Sequence, residues 1–131
     1  MYIIAEVGIN HDGNTDLARM LIKGASDAGA DAIKFQYRNL TRAYSDGPEE
    51  LGDSMLKSEI IKNYISIKCI EELVEFAKSI GLEVGISFFT WEDYADFSDC
   101  EVFDFFKIPS VEFQNEILMR GLLDSGKPVY A

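Results

Sequence analysis

Short apolar stretches that are typical of buried strands alternate along the chain with stretches whose apolar residues recur at helical spacing. The pattern predicts strands at residues 2–7, 31–36, 83–89 and 102–108, with a fifth strand beginning at residue 129. It predicts helices from residue 14 or 15 to Gly29, from Ser66 to Gly81, and at residues 91–97 and 114–123. Strands that alternate with helices indicate an α/β fold whose parallel strands follow the order of the chain.

Two architectures fit this alternation, an open doubly wound sheet and a (β/α)8 TIM barrel. The sequence contains neither GxGxxG nor GxxxxGK[ST], so no nucleotide-binding motif supports the open sheet. A complete (β/α)8 barrel needs roughly 250 residues, whereas this chain has 131. We therefore expect a partial barrel of about the first four to five β/α units, with residues 1–131 as the N-terminal part of a truncated domain.

The connection between the second strand and the second long helix is unusually long. Residues 37–65 contain little helical pattern and include Gly47-Pro48 and Gly52. Loops of this length are usually binding lids or mobile segments, so we expect one of these here.

The charge balance excludes two classes of partner. Acidic residues outnumber basic ones by 23 to 12, which gives a net charge of −11. Nucleic acids and anionic membranes both require a basic surface, so neither is expected to bind. No apolar run approaches the ~20 residues of a membrane span. An anionic small substrate remains compatible with this charge, because a pocket can differ in sign from the whole protein.

The two cysteines, Cys69 and Cys100, lie far apart and outside any CxxC spacing. Because the chain has a single histidine, this composition argues against a zinc site. We expect reduced thiols and a cytoplasmic protein.

A carboxylate, Glu6, interrupts the apolar residues of the first predicted strand. A buried charge is costly unless it is paired, so we expect Glu6 to pair with a lysine across the mouth of the barrel. Lys34 and Lys107 are the candidates, since each ends another strand. Further polar residues follow the strand ends, namely Gln36, Ser87, Thr90, Ser110 and Glu112.

These strand ends allow two interpretations that the spacing alone leaves open. The polar residues could form a substrate site, because chemistry gathers at the carboxyl ends of parallel strands. They could instead form an internal ion-pair network that only holds the strand register. Among the remaining candidates, His11 is expected to be a hydrogen-bonding loop residue, and Phe88, Phe89 and Trp91 are expected in the core.

Four stretches, in order along nearly the whole chain, resemble the N-terminal half of the sialic acid synthase family: "IAEVGINHDGN", "AGADAIKFQ", "FFKIPSVEFQN" and "SGKPV". The resemblance implies a (β/α)8 barrel, usually followed by a small antifreeze-like domain. It also implies a reaction that condenses phosphoenolpyruvate with an N-acetylated amino sugar such as N-acetylmannosamine. The products are phosphate and a nine-carbon nonulosonic (sialic) acid for surface carbohydrate biosynthesis.

The resemblance also implies roles for individual residues. Lys34 and Lys107 would bind the phosphoenolpyruvate anion, with Ser110 donating a hydrogen bond to it. Glu6 would be the catalytic acid or base near the reacting carbons. The residues implied on the sugar side are Gln36 and Glu112.

The chain also departs from the family pattern. The family's divalent metal, manganese or magnesium, is held by two histidines of later strands, and these ligands are expected to be absent from this chain. The third strand ends in "SFFT" where the family often has "STPF", which puts Phe88 at the place of a common phosphate-binding threonine. We therefore expect the chain alone to lack the full activity, and whether it is itself an enzyme stays open.

Two alternatives to the synthase remain. Lys107 could be the Schiff-base lysine of a barrel aldolase. The chain could also be a non-catalytic half-barrel that serves as an interaction module. In each case a half-barrel leaves two strand edges and an inner face open, so we expect self-association.

Overall fold

The computed structural model describes residues 1–39, 58–59, 61–97 and 100–131. Within these residues a single sheet has five parallel strands in the order of the chain, as the sequence predicts. The strands are β1 (Ile4–Gly8), β2 (Ala32–Gln36), β3 (Glu83–Ser87), β4 (Phe105–Lys107) and β5 (Val129–Tyr130). The helices are α1 (Thr15–Asp27), α2 (Ile67–Ser79), α3 (Trp91–Ala95) and α4 (Glu116–Asp124).

Polar caps fix where the helices begin. The Asn14 side chain accepts hydrogen bonds from the backbone N–H groups of Asp16 and Leu17, and Ser66 caps α2 in the same way. Thr90 caps α3 by accepting from the Asp93 N–H. Thr90 is thus a helix cap, although its place after β3 had also suggested a site residue.

The two faces of the sheet differ because side chains alternate along each strand. On one face, strand residues such as Ile33, Phe35 and Ile86 pack with the helices into a core from which water is excluded. Phe88 belongs to this core and contacts other aromatic rings there. The opposite face carries the charged side chains of Glu6 and Lys34.

The fourth strand begins later than its apolar composition predicts, because backbone carbonyls before residue 105 accept hydrogen bonds from a side chain. Residues Cys100–Val102 form a 3-10 turn. Lys127 donates from its ammonium to the carbonyls of Glu101 and Phe103. The predicted strand 102–108 is therefore reduced to β4, and the predicted strand 83–89 likewise ends at Ser87.

The connection predicted as a lid, residues 37–65, falls largely on residues 40–57 and 60, which lie outside the described residues. Among the helices that the structure describes, none is long and apolar enough to cross a membrane.

Candidate functional site

The carboxyl ends of the strands surround a cavity of about 280 Å³. The residues that line it are Glu6, Lys34, Gln36, Ser87, Phe89, Lys107, Pro109, Ser110 and Val111. Five of the six residues that the sequence singled out for the site are among them. Because they come from three strands and one loop, it is the parallel sheet that brings them together.

Glu6 pairs with a lysine, as its place in the strand predicted. Glu6 and Lys34 are register partners in the β1–β2 pair, and Lys34 Nζ lies 2.8 Å from Glu6 Oε2. Lys34 is 5% exposed, whereas about half of the Glu6 side chain is exposed. Water therefore reaches the carboxylate much more freely than it reaches the ammonium group.

The Lys34 ammonium also donates to Ser87 Oγ over 3.1 Å and lies 3.5 Å from the Phe35 carbonyl oxygen. Burial lowers the pKa of Lys34, because a low-dielectric environment disfavours the charged form. The hydrogen bond and the negative charge of Glu6 oppose this shift, while the positive charge of Lys107 adds to it. The two lysines are thus close enough to repel each other.

Gly8 makes room for the carboxylate of Glu6. Its φ of +52° lies in the left-handed region, and the strand pairing is irregular between Glu6 and Gly8. A Cβ atom at this position would lie 2.8 Å from Glu6 Oε1 and 3.4 Å from Gln36 Nε2. A glycine is therefore needed for this arrangement of the cavity wall.

Lys107 ends β4 beside Tyr130 of β5 and is partly exposed in the cavity. In the ranges that the structure describes, it takes part in no ion pair. Ser110 is exposed and opens the 3-10 turn Ser110–Glu112 that follows Pro109. Lys107 and Ser110 therefore present donors to the same cavity from one short segment.

Glu112, the sixth predicted residue, is not part of the cavity lining. Its carboxylate accepts a hydrogen bond of 2.9 Å from Asn115 Nδ2. Asn115 in turn caps α4 by accepting from the Leu118 N–H. In this arrangement Glu112 positions the start of α4.

The apolar part of the cavity was not predicted. Phe89 was expected in the core but lines the cavity, with the guanidinium carbon of Arg38 3.7 Å from its ring centre. Pro109 and Val111 complete this wall. Phe88 is fully buried on the other side, within the aromatic core. The one sequence signal that distinguishes Phe88 from Phe89 is the alternation of side chains along a strand, which puts adjacent residues on opposite faces.

His11 is a hydrogen-bonding loop residue, as expected. It is 1% exposed, and its Nδ1 accepts from the Gly13 N–H over 3.1 Å. Burial lowers its pKa, while a hydrogen bond with the Gly8 backbone and the negative charge of Asp12 act in the opposite direction.

Among the described residues, no three histidine, cysteine, aspartate or glutamate side chains lie together as metal ligands would.

The chain is similar in sequence to known proteins of one family. The model of the NeuB family matches residues 21–131. The chain is 33% identical to an N,N'-diacetyllegionaminic acid synthase of Campylobacter jejuni, over 97% of this chain and 40% of that protein. The chain therefore spans about two fifths of the length of that relative.

Solved structures give the same result for the fold. A sialic acid synthetase of Leptospira borgpetersenii, crystallised with citrate, superposes with a TM-score of 0.79 at 29% identity, covering 98% of this chain and 42% of that one. A spore coat polysaccharide biosynthesis protein E of Chromobacterium violaceum gives a TM-score of 0.82 at 26% identity, with 98% and 39% covered.

Proposed function

Because the chain belongs to the NeuB family, we propose that it is the N-terminal part of a synthase that condenses phosphoenolpyruvate with an N-acetylated amino sugar. The product would be a nonulosonic (sialic) acid for surface carbohydrate biosynthesis in the cytoplasm. One observation carries the proposal: two lysines from separate strands and one glutamate line a single cavity. The names of the synthases that the chain resembles support this class of product.

Phosphoenolpyruvate carries a phosphate and a carboxylate, so it needs cationic donors. Lys107 offers an ammonium group that has no ion-pair partner in the described part of the chain. Lys34 is buried and has one carboxylate beside it. An anion next to both groups would reduce their repulsion, and charge-assisted hydrogen bonds of this kind are the strong ones. Ser110 would add a neutral donor.

Glu6 is the proposed acid or base. In the reaction, C3 of phosphoenolpyruvate bonds to the aldehyde carbon of the sugar, a water oxygen adds to C2, and phosphate leaves. The bond between C2 and the phosphate oxygen breaks and leaves a ketone at C2. Of the two protons of the water, one goes to the aldehyde oxygen and the other leaves with the phosphate. Glu6 is half exposed and held by Lys34 at the cavity wall, where it can exchange protons with a bound substrate.

The sugar would contact the side of the cavity that contains Gln36, near Gly8. We also assign Glu112 to the sugar side, on the turn that follows Ser110. That role requires its carboxylate to bind substrate in addition to Asn115, or in its place.

A divalent metal, manganese or magnesium, is expected of the family. The described residues do not fit one, because they contain no cluster of ligand side chains and His11 uses Nδ1 to accept a backbone hydrogen bond. The residue roles above are therefore derived without a metal.

Self-association is the proposed state of the isolated chain. β1 and β5 are the edges of the described sheet. Apolar side chains on or beside these strands are exposed, among them Ile3, Ile4 and Tyr130. Such edges and faces favour association with a second copy. Light scattering at high protein concentration measures this, and a monomer throughout would contradict it.

Borohydride trapping with pyruvate, followed by mass spectrometry, distinguishes the synthase from the aldolase alternative. The synthase account requires no covalent adduct on Lys107, since its role is to bind an anion. An adduct on Lys107 would overturn that account in favour of a Schiff-base mechanism.

A further inference from the structure

Ser87 has a buried hydroxyl whose role in the site is not explained by the residues above. It is the last residue of β3, it is 1% exposed, and it lines the cavity next to Lys34 and Lys107. A hydroxyl group has one proton to donate and two lone pairs that accept. A buried donor that is left without a partner costs free energy.

Among the described residues, only the accepting function of the Ser87 hydroxyl has a partner. Lys34 Nζ donates to Ser87 Oγ over 3.1 Å. An ammonium group has donors only, so the Ser87 proton cannot be given back to Lys34. The Ser87 carbonyl accepts from the Tyr37 N–H and belongs to the strand backbone. In the part of the chain that the structure describes, no group accepts the Ser87 O–H.

We propose that Ser87 donates its O–H to an oxygen of the anion in the cavity, as a fourth binding group beside Lys34, Lys107 and Ser110. This inference rests on the proposed function and adds one residue to the binding of its oxyanion substrate. A hydroxyl is suited to this position because it adds a donor without a charge. The Lys107 charge already lowers the pKa of Lys34, so a third cation would increase the repulsion.

The test is a calorimetric titration of phosphoenolpyruvate, and separately of inorganic phosphate, into the wild-type chain and its variants. Ser87→Ala is expected to weaken phosphoenolpyruvate binding by about tenfold or more, as for the loss of a hydrogen bond to a charged group. Ser79→Ala is the matched control and should leave the affinity unchanged. Its hydroxyl is exposed on α2 and donates to the Phe76 carbonyl.

A pH series separates direct donation from an effect through Lys34. If Ser87 donates directly, Ser87→Ala binds more weakly at every pH at which Lys34 is charged. If the variant matches wild type there and loses affinity only when Lys34 deprotonates, Ser87 acts through Lys34 and the inference is wrong. Ser87→Cys keeps a similar shape with a weak donor. It should also bind more weakly, and wild-type affinity in this variant contradicts the inference as well.

The same titration distinguishes a failure of the proposed function from a failure of the Ser87 inference. A wild-type chain that binds neither phosphoenolpyruvate nor phosphate overturns the proposed function and this inference together. A wild-type chain that binds phosphoenolpyruvate, with Ser87→Ala binding equally well, overturns the role of Ser87 alone.

Discussion

Glu6 and Lys34 lie directly opposite each other on the first two strands, and their charged atoms are 2.8 Å apart. The lysine is buried, whereas half of the glutamate side chain is in contact with water. In a buried structural salt bridge both partners are shielded from water, whereas here only the lysine is. It holds a desolvated cation at the wall of a cavity, with a solvated carboxylate beside it.

Lys34→Met is expected to stabilise the fold. The pKa of Lys34 is lowered by burial from its ordinary 10.5, so the folded state binds this proton less tightly than the unfolded state does. Lys34 therefore lowers the free energy of unfolding at neutral pH, and this effect is lost as the pH rises from the folded-state pKa to 10.5. Denaturant unfolding should show Lys34→Met above wild type at pH 7, with the difference shrinking toward pH 10.5. A variant less stable than wild type at pH 7 would contradict this.

Gly8→Ala tests whether the glycine at position 8 keeps the Glu6 carboxylate in place. A Cβ at this position meets Glu6 Oε1, and φ is positive, so both the carboxylate and the backbone are disturbed. Gly29→Ala is the control, because its φ is +83° and nothing lies within 4 Å of its Cβ position. Both variants should lose roughly 1–2 kcal/mol of stability from the left-handed conformation. Initial rates of the whole synthase should fall in Gly8→Ala only, because the proposed acid or base Glu6 is displaced there, and equal rates in both variants would remove Gly8 from the site.

We expect the free energy of unfolding to fall in mild acid because of the buried His11. Burial lowers its folded-state pKa below 6.5, so the unfolded state binds the proton more readily. The stability due to neutral His11 is complete above pH 6.5 and falls as the pH drops toward the folded-state pKa. Because the chain has one histidine, the difference between wild type and His11→Gln isolates this contribution. The prediction fails if that difference is the same at pH 5 and pH 7.5.

Two helical glycines are expected to respond in opposite ways to alanine. At Gly121 on α4, an added Cβ would lie 1.9 Å from the ring of Trp91. Gly121→Ala should therefore cost about 1–3 kcal/mol, as overpacking does. At Gly24 on α1 nothing lies within 4 Å, so Gly24→Ala should add about 0.5–1 kcal/mol. Thermal midpoints measure both, and a stabilised Gly121→Ala would show that α3 and α4 do not pack closely here.

The parallel sheet and the convergence of Glu6, Lys34 and Lys107 could be predicted because both follow from local rules. Hydrophobic periodicity identifies the strands, and parallel strands bring their carboxyl ends to one edge. The register then makes Glu6 the neighbour of Lys34.

Tertiary contacts decided the features that the sequence did not predict. The apolar residues before β4 look like strand, but Lys127 binds their carbonyls from a segment more than 20 residues away. Phe89 looks like core and instead forms a cavity wall under Arg38. Both outcomes depend on a side chain that is distant in sequence.

The most direct test of the central claim is a titration of phosphoenolpyruvate against wild type, Lys34→Ala, Lys107→Ala and Glu6→Gln. Loss of a charged hydrogen bond is worth ~1.5–3 kcal/mol, so each lysine variant should bind about tenfold to more than a hundredfold more weakly. Glu6→Gln removes a negative charge and should bind at least as tightly as wild type. Lys23→Ala is the control, since Lys23 lies exposed on α1 in an ion pair with Asp27.

Both strand-end lysine variants are expected to lose affinity, while Glu6→Gln and Lys23→Ala retain it. If Lys34→Ala and Lys107→Ala bind phosphoenolpyruvate as tightly as wild type, the strand-end charges only hold the register of the sheet, and the cavity is not the anion site.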